Sequence, residues 1–256
     1  MIKIFIILLL IFLIYFLIYY NLRKESFITE SNITIPKVIY KTGKETKENL
    51  SPEIKDLFYR IKKNNPNFEI KYYSDKDCEE FLENNFGLEI ISAYKKLRPG
   101  SFKADLFRYC IIYKNGGIWS DLTDDFLVPI EDIINFKKDN LVLVRDSECR
   151  GYSGIQIGFM ASVPNNPIFL EVINKVVFNV KNNFYGKSPL DVTGPKVFYD
   201  VLNKNNKHIL NKINLMFDDN KQKVRYYFDK NTKKRIIKYK TLNDINKILK
   251  RNKSQY

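Results

Sequence analysis

The chain has 256 residues, of which 28% are charged, and a formal net charge of +14 at pH 7. Its length suits one α/β core. A nucleic-acid-binding protein would concentrate its basic residues on one face or in runs, but here the lysines are scattered, so the composition argues against that class. The three cysteines show no C-x-x-C spacing, and they cannot all pair with one another.

The N-terminus begins with an apolar run that no charged residue interrupts. Residues 4–20 would span about 25 Å as a helix, slightly less than a typical hydrocarbon core, and tyrosines near the end suit a membrane interface. The alternative, a cleavable signal peptide, has a shorter apolar region followed by small residues. Charged residues follow here instead, so we predict an uncleaved transmembrane helix over residues 1–20 and a polar stem over 21–34.

The rest of the chain alternates apolar strand patterns with helical ones. The predicted elements outside residues 101–125 are strands at 36–41 and 68–73, helices at 51–63 and 75–84, strands at 141–145 and 155–161, a helix at 168–180, a loop followed by a helix within 191–202, and a hairpin of 224–228 with 236–239. This alternation predicts a single α/β domain over residues 35–240 with a mainly parallel sheet. A basic tail over residues 241–256 would follow it.

Residues 101–125 are the most informative segment of the chain. Asp105 and Arg108 are three residues apart in the predicted helix, so they share one face of it. An Asn-Gly-Gly sequence at 115–117 then supplies the left-handed stop that helices prefer. We therefore expect the helix to end there and a short strand to follow.

A cluster of carboxylates follows that predicted strand. Asp121, Asp124 and Asp125 come directly after residues 118–120, and ligands in open α/β sheets bind at the carboxyl ends of strands. Carboxylate oxygens at such a place can hold a hard divalent cation. Alternatively, Asp124 and Asp125 could lie in a solvated turn without a functional role. Asp105 and Arg108 could likewise form a simple ion pair on the helix surface.

This segment resembles the signature of GT-A-fold glycosyltransferases with a sugar-binding region containing a DxD motif. That family includes yeast α-1,6-mannosyltransferases and inositolphosphoceramide mannosyltransferases, and its pattern is roughly D-x-x-R-Y, a spacer, then G-G-I/V-Y-x-D-x-D. The matching residues are Asp105, Arg108, Tyr109, Gly116, Gly117, Ile118 and Asp121. Trp119 replaces the tyrosine, and Thr123 stands where the second Asp of the motif would be, directly before Asp124.

Further segments are similar to the same family in the same order. The chain has the opening I-P-K strand at 35–39, although the usual His-Gln-x-Trp after it is replaced by residues 40–43, Tyr-Lys-Thr-Gly. It also has the N-P-x-F segment at 65–68 and the T-G-P loop at 193–195. The late His-x-x-Trp element of the family has no counterpart here.

The resemblance implies a Rossmann-like GT-A enzyme that moves a hexose from a nucleotide-sugar to a glycan, glycolipid or glycoprotein acceptor, with retention of configuration. It implies a membrane protein with its catalytic domain in an endomembrane lumen. The residues expected to act in catalysis are Asp121, Asp105 and Arg108. The residues expected to bind the donor are Asp105, Arg108, Tyr109, Gly116, Gly117, Thr193 and Gly194. The residues expected to hold Mn²⁺ or Mg²⁺ are Asp121, Thr123 and Asp124.

A second function remains open at this point. Thr123 in place of the second motif Asp, and the missing His-x-x-Trp element, would also suit a non-catalytic, membrane-tethered protein of the same fold. Such a protein would bind sugar-nucleotides or glycans without turning them over.

Overall fold

The computed structural model describes residues 12–16, 33–98, 100–146, 154–213, 215–218 and 225–239. Of the predicted membrane segment, only residues 12–16 fall in these ranges, and they are helical and exposed. The remainder of that segment, nearly all of the predicted stem and the basic tail lie outside the described residues. Within those ranges we find no helix with the length and apolarity needed to cross a bilayer.

Contacts group the chain from Ile35 onward into one compact unit of helices and strands. Its helices are α1 (Pro52–Asn64), α2 (Asp75–Asn85), α3 (Leu88–Lys96), α4 (Gly100–Asn115), α5 (Pro167–Lys181), α6 (Pro195–Asn205) and α7 (Lys207–Lys212). Its strands are β1 (Val38–Thr42), β2 (Glu69–Tyr73), β3 (Gly117–Ser120), β4 (Asp125–Phe126), β5 (Leu141–Asp146), β6 (Ile155–Ser162), β7 (Leu215–Asp218), β8 (Arg225–Asp229) and β9 (Arg235–Tyr239). Short 3₁₀ turns lie between some of them.

Helix starts follow the local sequence closely. Ser51 caps α1 by accepting a hydrogen bond from the backbone N–H of Ile54, and Pro52 occupies the first turn. Ser74 and Asp77 form a capping box at the start of α2, in which each side chain accepts a hydrogen bond from the other residue's backbone. These local signals therefore place α1 and α2 without help from the rest of the fold.

The sheet is mixed, so the prediction of a mainly parallel sheet is wrong. The strand order is β2-β1-β3-β6-β5-β7-β8-β9-β4. Only the pairs β1–β2, β1–β3 and β5–β7 are parallel, and the other neighbouring pairs of described strands are antiparallel. The reason lies in the connections: few residues separate β5 from β6 and β8 from β9, and a parallel crossover needs a dozen or more.

The position of β4 shows that the sheet is strongly curled. In a flat sheet, the strand spacings between β3 and β4 would put these two strands about 29 Å apart. The short link from Ser120 to Asp125 reaches at most about 18 Å even when fully extended. The sheet must therefore curve until its last strand returns toward β3, where the carboxylate cluster lies.

The apolar core is divided into two clusters of buried side chains. The larger one packs α4 and α5 with other helices against the sheet, and the second lies between α1 and the curled strands. Cys110 on α4 is buried and unpaired, as is Cys78. Trp119 on β3 is also buried in the larger cluster.

Candidate active site

Helix α4 carries a charged pair into an otherwise apolar interior. Leu106 and Tyr109 are 0% exposed, yet Arg108 between them is also buried. The side chain of Asp105, one turn earlier, is 13% exposed and forms an ion pair with Arg108. Two charges held this far from water need fixed partners, because an unpaired buried charge is very costly.

Arg108 obtains those partners by bridging two carboxylates. Its Nη2 lies 3.2 Å from Oδ1 of Asp105, and its Nη1 donates to Oδ1 of Asp121 at 3.0 Å. Nη1 also donates to the carbonyl oxygen of Ile157 at 2.7 Å. The guanidinium carbon lies 4.8 Å from the ring centroid of Trp119, a cation–π distance. The predicted helix residues and the predicted strand-end carboxylate thus meet at one point.

Burial and charge set the protonation of this group. Burial raises the pKa of Asp105 to about 6, although the neighbouring Arg108 guanidinium and the Thr193 hydroxyl act in the opposite direction. For Arg108, burial lowers the pKa, but the carboxylates of Asp121 and Asp105 outweigh it and raise the pKa above its usual value. The site therefore holds a permanent cation between two acids.

The Thr-Gly-Pro loop reaches the same point from a distant part of the chain. The hydroxyl of Thr193 donates to Oδ2 of Asp105 at 2.8 Å, and the hydroxyl of Tyr109 donates to the carbonyl oxygen of Thr193 at 2.9 Å. Gly194 directly precedes α6, whose first turn begins with a proline. Four residues that the resemblance grouped together are therefore in contact or adjacent in the fold.

Asp121 is the cluster carboxylate that faces this point. Its Oδ1 accepts hydrogen bonds from Arg108 and, at 3.1 Å, from Nε1 of Trp119. Its side chain is 27% exposed, against 8% for the Arg108 side chain. Asp121 can therefore contact a ligand while the residues beneath it fix its direction.

The other members of the cluster have different surroundings. Asp124 is 0% exposed and Thr123 is 6% exposed, so a solvated turn is the wrong description of Asp124. Asp125 lies in β4 and accepts a hydrogen bond from Nη2 of Arg60 at 3.1 Å. Among the described residues, no group of three or more His, Cys, Asp or Glu side chains is arranged to hold a metal ion. Whether Thr123 and Asp124 act as metal ligands stays a prediction.

Comparison with known proteins shows that part of this arrangement is similar to a family of sugar-transferring enzymes. Residues 51–139 match the family described as "Glycosyltransferase sugar-binding region containing DXD motif". The likeness to this family therefore holds for residues 51–139, about a third of the chain. The matched region includes Asp105, Arg108 and Asp121 but ends before the Thr193 loop.

Relatives extend the likeness over more of the chain. An uncharacterised glycosyltransferase of Acanthamoeba polyphaga mimivirus is 26% identical over 77% of this chain and 76% of its own length. The initiation-specific α-1,6-mannosyltransferase of Schizosaccharomyces pombe is 26% identical over 66% of this chain, which spans about half (48%) of that relative. The solved structure of the glycosyltransferase PaToxG has a TM-score of 0.53 at 18% identity, covering 76% of this chain and 84% of that one, and so supports the fold.

The glycosyltransferase does not bring every expected donor-binding residue to this point. Gly116 and Gly117 lie at the start of β3, whereas Asp121 follows its end. Both have positive φ, and a Cβ on Gly116 would lie 2.6 Å from the backbone nitrogen of Pro164. These two positions need glycine because they end the helix with positive φ and pack closely against neighbouring atoms. Their predicted part in donor binding has no geometric support here.

Three further residues border the site and were missed by sequence reasoning. Lys41 and Tyr227 are both 0% exposed, and Gly158 of β6 accepts a hydrogen bond from the backbone N–H of Asp121 at 2.8 Å. The Tyr227 hydroxyl has no hydrogen-bond partner among the described residues, and burial raises its pKa well above the usual value. Only Gly158 gave a sequence signal, since glycine inside a strand often marks a close approach.

Replacing Gly158 with Ala is expected to damage the site directly. The new Cβ would lie 2.3 Å from the Tyr227 hydroxyl oxygen and 2.8 Å from Oδ2 of Asp121, which is closer than real Cβ contacts come. The carboxylate must move, and displacing a reacting group by about 1 Å can cost roughly 100-fold in rate. Steady-state kinetics should show that loss, whereas Gly87→Ala, where nothing lies near the added Cβ, should retain full activity. Equal activities of the two variants would contradict the placement of Asp121 against β6.

Proposed function

We propose that this glycosyltransferase moves a hexose from a nucleotide-sugar to a hydroxyl of a glycan, glycolipid or glycoprotein, with retention of configuration. The main support is Arg108 clamped between Asp105 and Asp121 beside the Thr193 loop. Carboxylates accept hydrogen bonds from sugar hydroxyls, and a guanidinium suits phosphate. Mannose is the first donor sugar to test, because the fungal relatives are named mannosyltransferases.

The chemistry needs positive charge at the leaving group. As the glycosidic bond to the diphosphate breaks, negative charge grows on the departing oxygen, and fixed donors aimed at that charge lower the barrier. Arg108 is such a donor, and its own partners hold it in place before the substrate arrives. Binding energy is therefore not spent on orienting it.

A divalent cation fits this site through Asp121. A bound Mn²⁺ or Mg²⁺ would supply further neutralisation of the diphosphate. Mg²⁺ is commonly held in proteins by one or two carboxylates together with substrate phosphates and water, and Asp121 is the partly exposed carboxylate of the cluster that also contacts Arg108. Asp124 is fully buried and carries one side-chain oxygen, Oδ1, with no hydrogen-bond partner among the described residues.

A donor-hydrolysis screen tests the proposal. The purified protein is incubated with UDP- and GDP-linked hexoses and Mn²⁺, and release of the nucleoside diphosphate is measured. We expect hydrolysis of at least one donor, with loss of activity in excess EDTA and recovery on adding Mn²⁺. Donor binding without any turnover would favour the non-catalytic alternative. Full turnover in EDTA would contradict the metal requirement.

We also propose that residues 1–20 anchor the enzyme in an endomembrane, with the catalytic domain in the lumen. The support is the uncharged apolar run over residues 4–20. After carbonate extraction, the intact chain should remain in the membrane pellet, and a chain that starts at residue 33 should be in the supernatant. Recovery of both chains in the supernatant would contradict the anchor.

A further inference from the structure

We propose that Lys41 and Asp124 are positioning residues that fix the turn carrying Asp121. Asp124 on this view does not hold the metal, and Lys41 is its buried counter-ion. The inference rests on the proposed function, since it concerns how Asp121 is presented to the donor.

Lys41 lies on β1, directly beneath the turn that follows β3. Its side chain is completely buried, and its Nζ donates to the carbonyl oxygen of Asp121 at 2.8 Å. The same Nζ donates to the hydroxyl of Ser120 at 3.1 Å and lies 3.4 Å from the carbonyl oxygen of Asp124. One ammonium group thus joins both ends of the turn, and it uses all three of its donors to do so.

Asp124 binds the same turn from the opposite side of the peptide. Its Oδ2 accepts hydrogen bonds from the backbone N–H of Asp121 at 3.2 Å and from the hydroxyl of Ser120 at 3.3 Å. The N–H of Asp121 is therefore shared between Asp124 and the carbonyl oxygen of Gly158, and its C=O is held by Lys41. With both peptide groups fixed, the direction of the Asp121 side chain is fixed as well.

The two charges need each other. Lys41 and Asp124 are both 0% exposed and bind the same turn, so each charge lies in the interior with the other as its nearby opposite charge. Replacing only one of them would leave an uncompensated charge in the interior, which is far more costly than removing both. The pair is therefore coupled in stability as well as in geometry.

Two departures of the sequence from the family pattern now have a single explanation. The pattern has a glutamine where this chain has Lys41, and it has its second Asp at position 123, where this chain has Thr123. Moving the acid to Asp124 places it inside the protein, where a neutral glutamine would leave it without a counter-charge. A lysine at position 41 supplies that charge.

The experiment compares Lys41→Met, Asp124→Asn and the double variant with the wild-type full-length chain. For each we measure Tm, kcat and KM for donor hydrolysis, and the Mn²⁺ concentration for half-maximal activity. Lys37→Met is the matched control, because Lys37 precedes the same strand but pairs with Glu131 at the surface, with 40% of its side chain exposed.

Both single variants should lower Tm and reduce kcat about 100-fold, since the reacting carboxylate is displaced, with little change in KM. The double variant should regain Tm, because no charge is left unpaired, yet keep the low kcat. The Mn²⁺ requirement of Asp124→Asn should be unchanged, and Lys37→Met should behave as wild type.

Recovery of both Tm and kcat in the double variant would show that the pair only stabilises the fold, and would overturn the inference. Restoration of Asp124→Asn by excess Mn²⁺ would instead make Asp124 a metal ligand. If the wild type hydrolyses no donor, the proposed function fails, and only the Tm values test the coupling of Lys41 with Asp124. A Tm loss in the double variant equal to the sum of the two single losses would then overturn the inference.

Discussion

Replacing Asp121 with Asn is expected to lower glycosyl transfer about a thousandfold, because a carboxylate that holds a metal at a leaving group supplies several kcal/mol of transition-state stabilisation. The amide keeps the size of the side chain but loses its charge. The free energy of unfolding should fall by only about 1 kcal/mol, because Arg108 keeps its ion pair with Asp105. Activity and thermal unfolding of the same preparation separate the two effects.

Asp125→Asn is the matched control for this variant. Asp125 lies in the same cluster, but its carboxylate pairs with Arg60 at a partly exposed position, so the loss of activity should be small. If Asp121→Asn keeps near-normal activity while Asp125→Asn loses it, the assignment of the reacting carboxylate is wrong. If both retain activity, the reaction takes place elsewhere on the molecule.

Replacing Arg108 with Met is expected to have the largest effect on stability. The change would leave Asp105 and Asp121 as neighbouring acids without the cation between them. Removing one partner of a buried ion pair should lower the free energy of unfolding by about 3–5 kcal/mol. Since domains are stable by only about 5–15 kcal/mol, the midpoint of urea unfolding should fall sharply.

Arg60→Met provides the comparison for that measurement. Arg60 also bridges two carboxylates, Asp56 and Asp125, but 45% of its side chain is exposed, so we expect a loss below about 1 kcal/mol. Equal losses for the two arginine variants would mean that Arg108 is not the buried centre of the site. Recovery of stability for Arg108→Met at acidic pH would support the explanation, because protonation of Asp105 removes one of the unpaired charges.

Local patterns in the sequence predicted the parts of this fold that depend on neighbouring residues. The cap at Ser51 and the helix stop before β3 follow from side chains within a few positions, so α1 and α4 begin or end where expected. Asp105 and Arg108 share a helix face for the same reason. The meeting of this helix with the Thr193 loop came from family resemblance, because no local rule joins residues so far apart.

The features that the sequence did not reveal depend on contacts between residues that are far apart in the chain. No local pattern indicated that the curled sheet would bury both Thr123 and Asp124. Lys41 looked like one lysine among many, since its role depends on a turn that comes much later in the chain. Tyr227 approaches Gly158 only because the last strands return toward the site.

The pairing of β4 with β9 has a consequence for the order in which the site can form during synthesis. Asp125 and Phe126 leave the ribosome shortly after Asp121, but their partners, Lys238 and Ile237, are made only after β5 to β8. Until then, the strand that follows the reacting carboxylate has no partner strand. A nascent chain can thus complete its early helices while remaining inactive, and a release just before β9 would yield a protein with every proposed catalytic residue but no closed site.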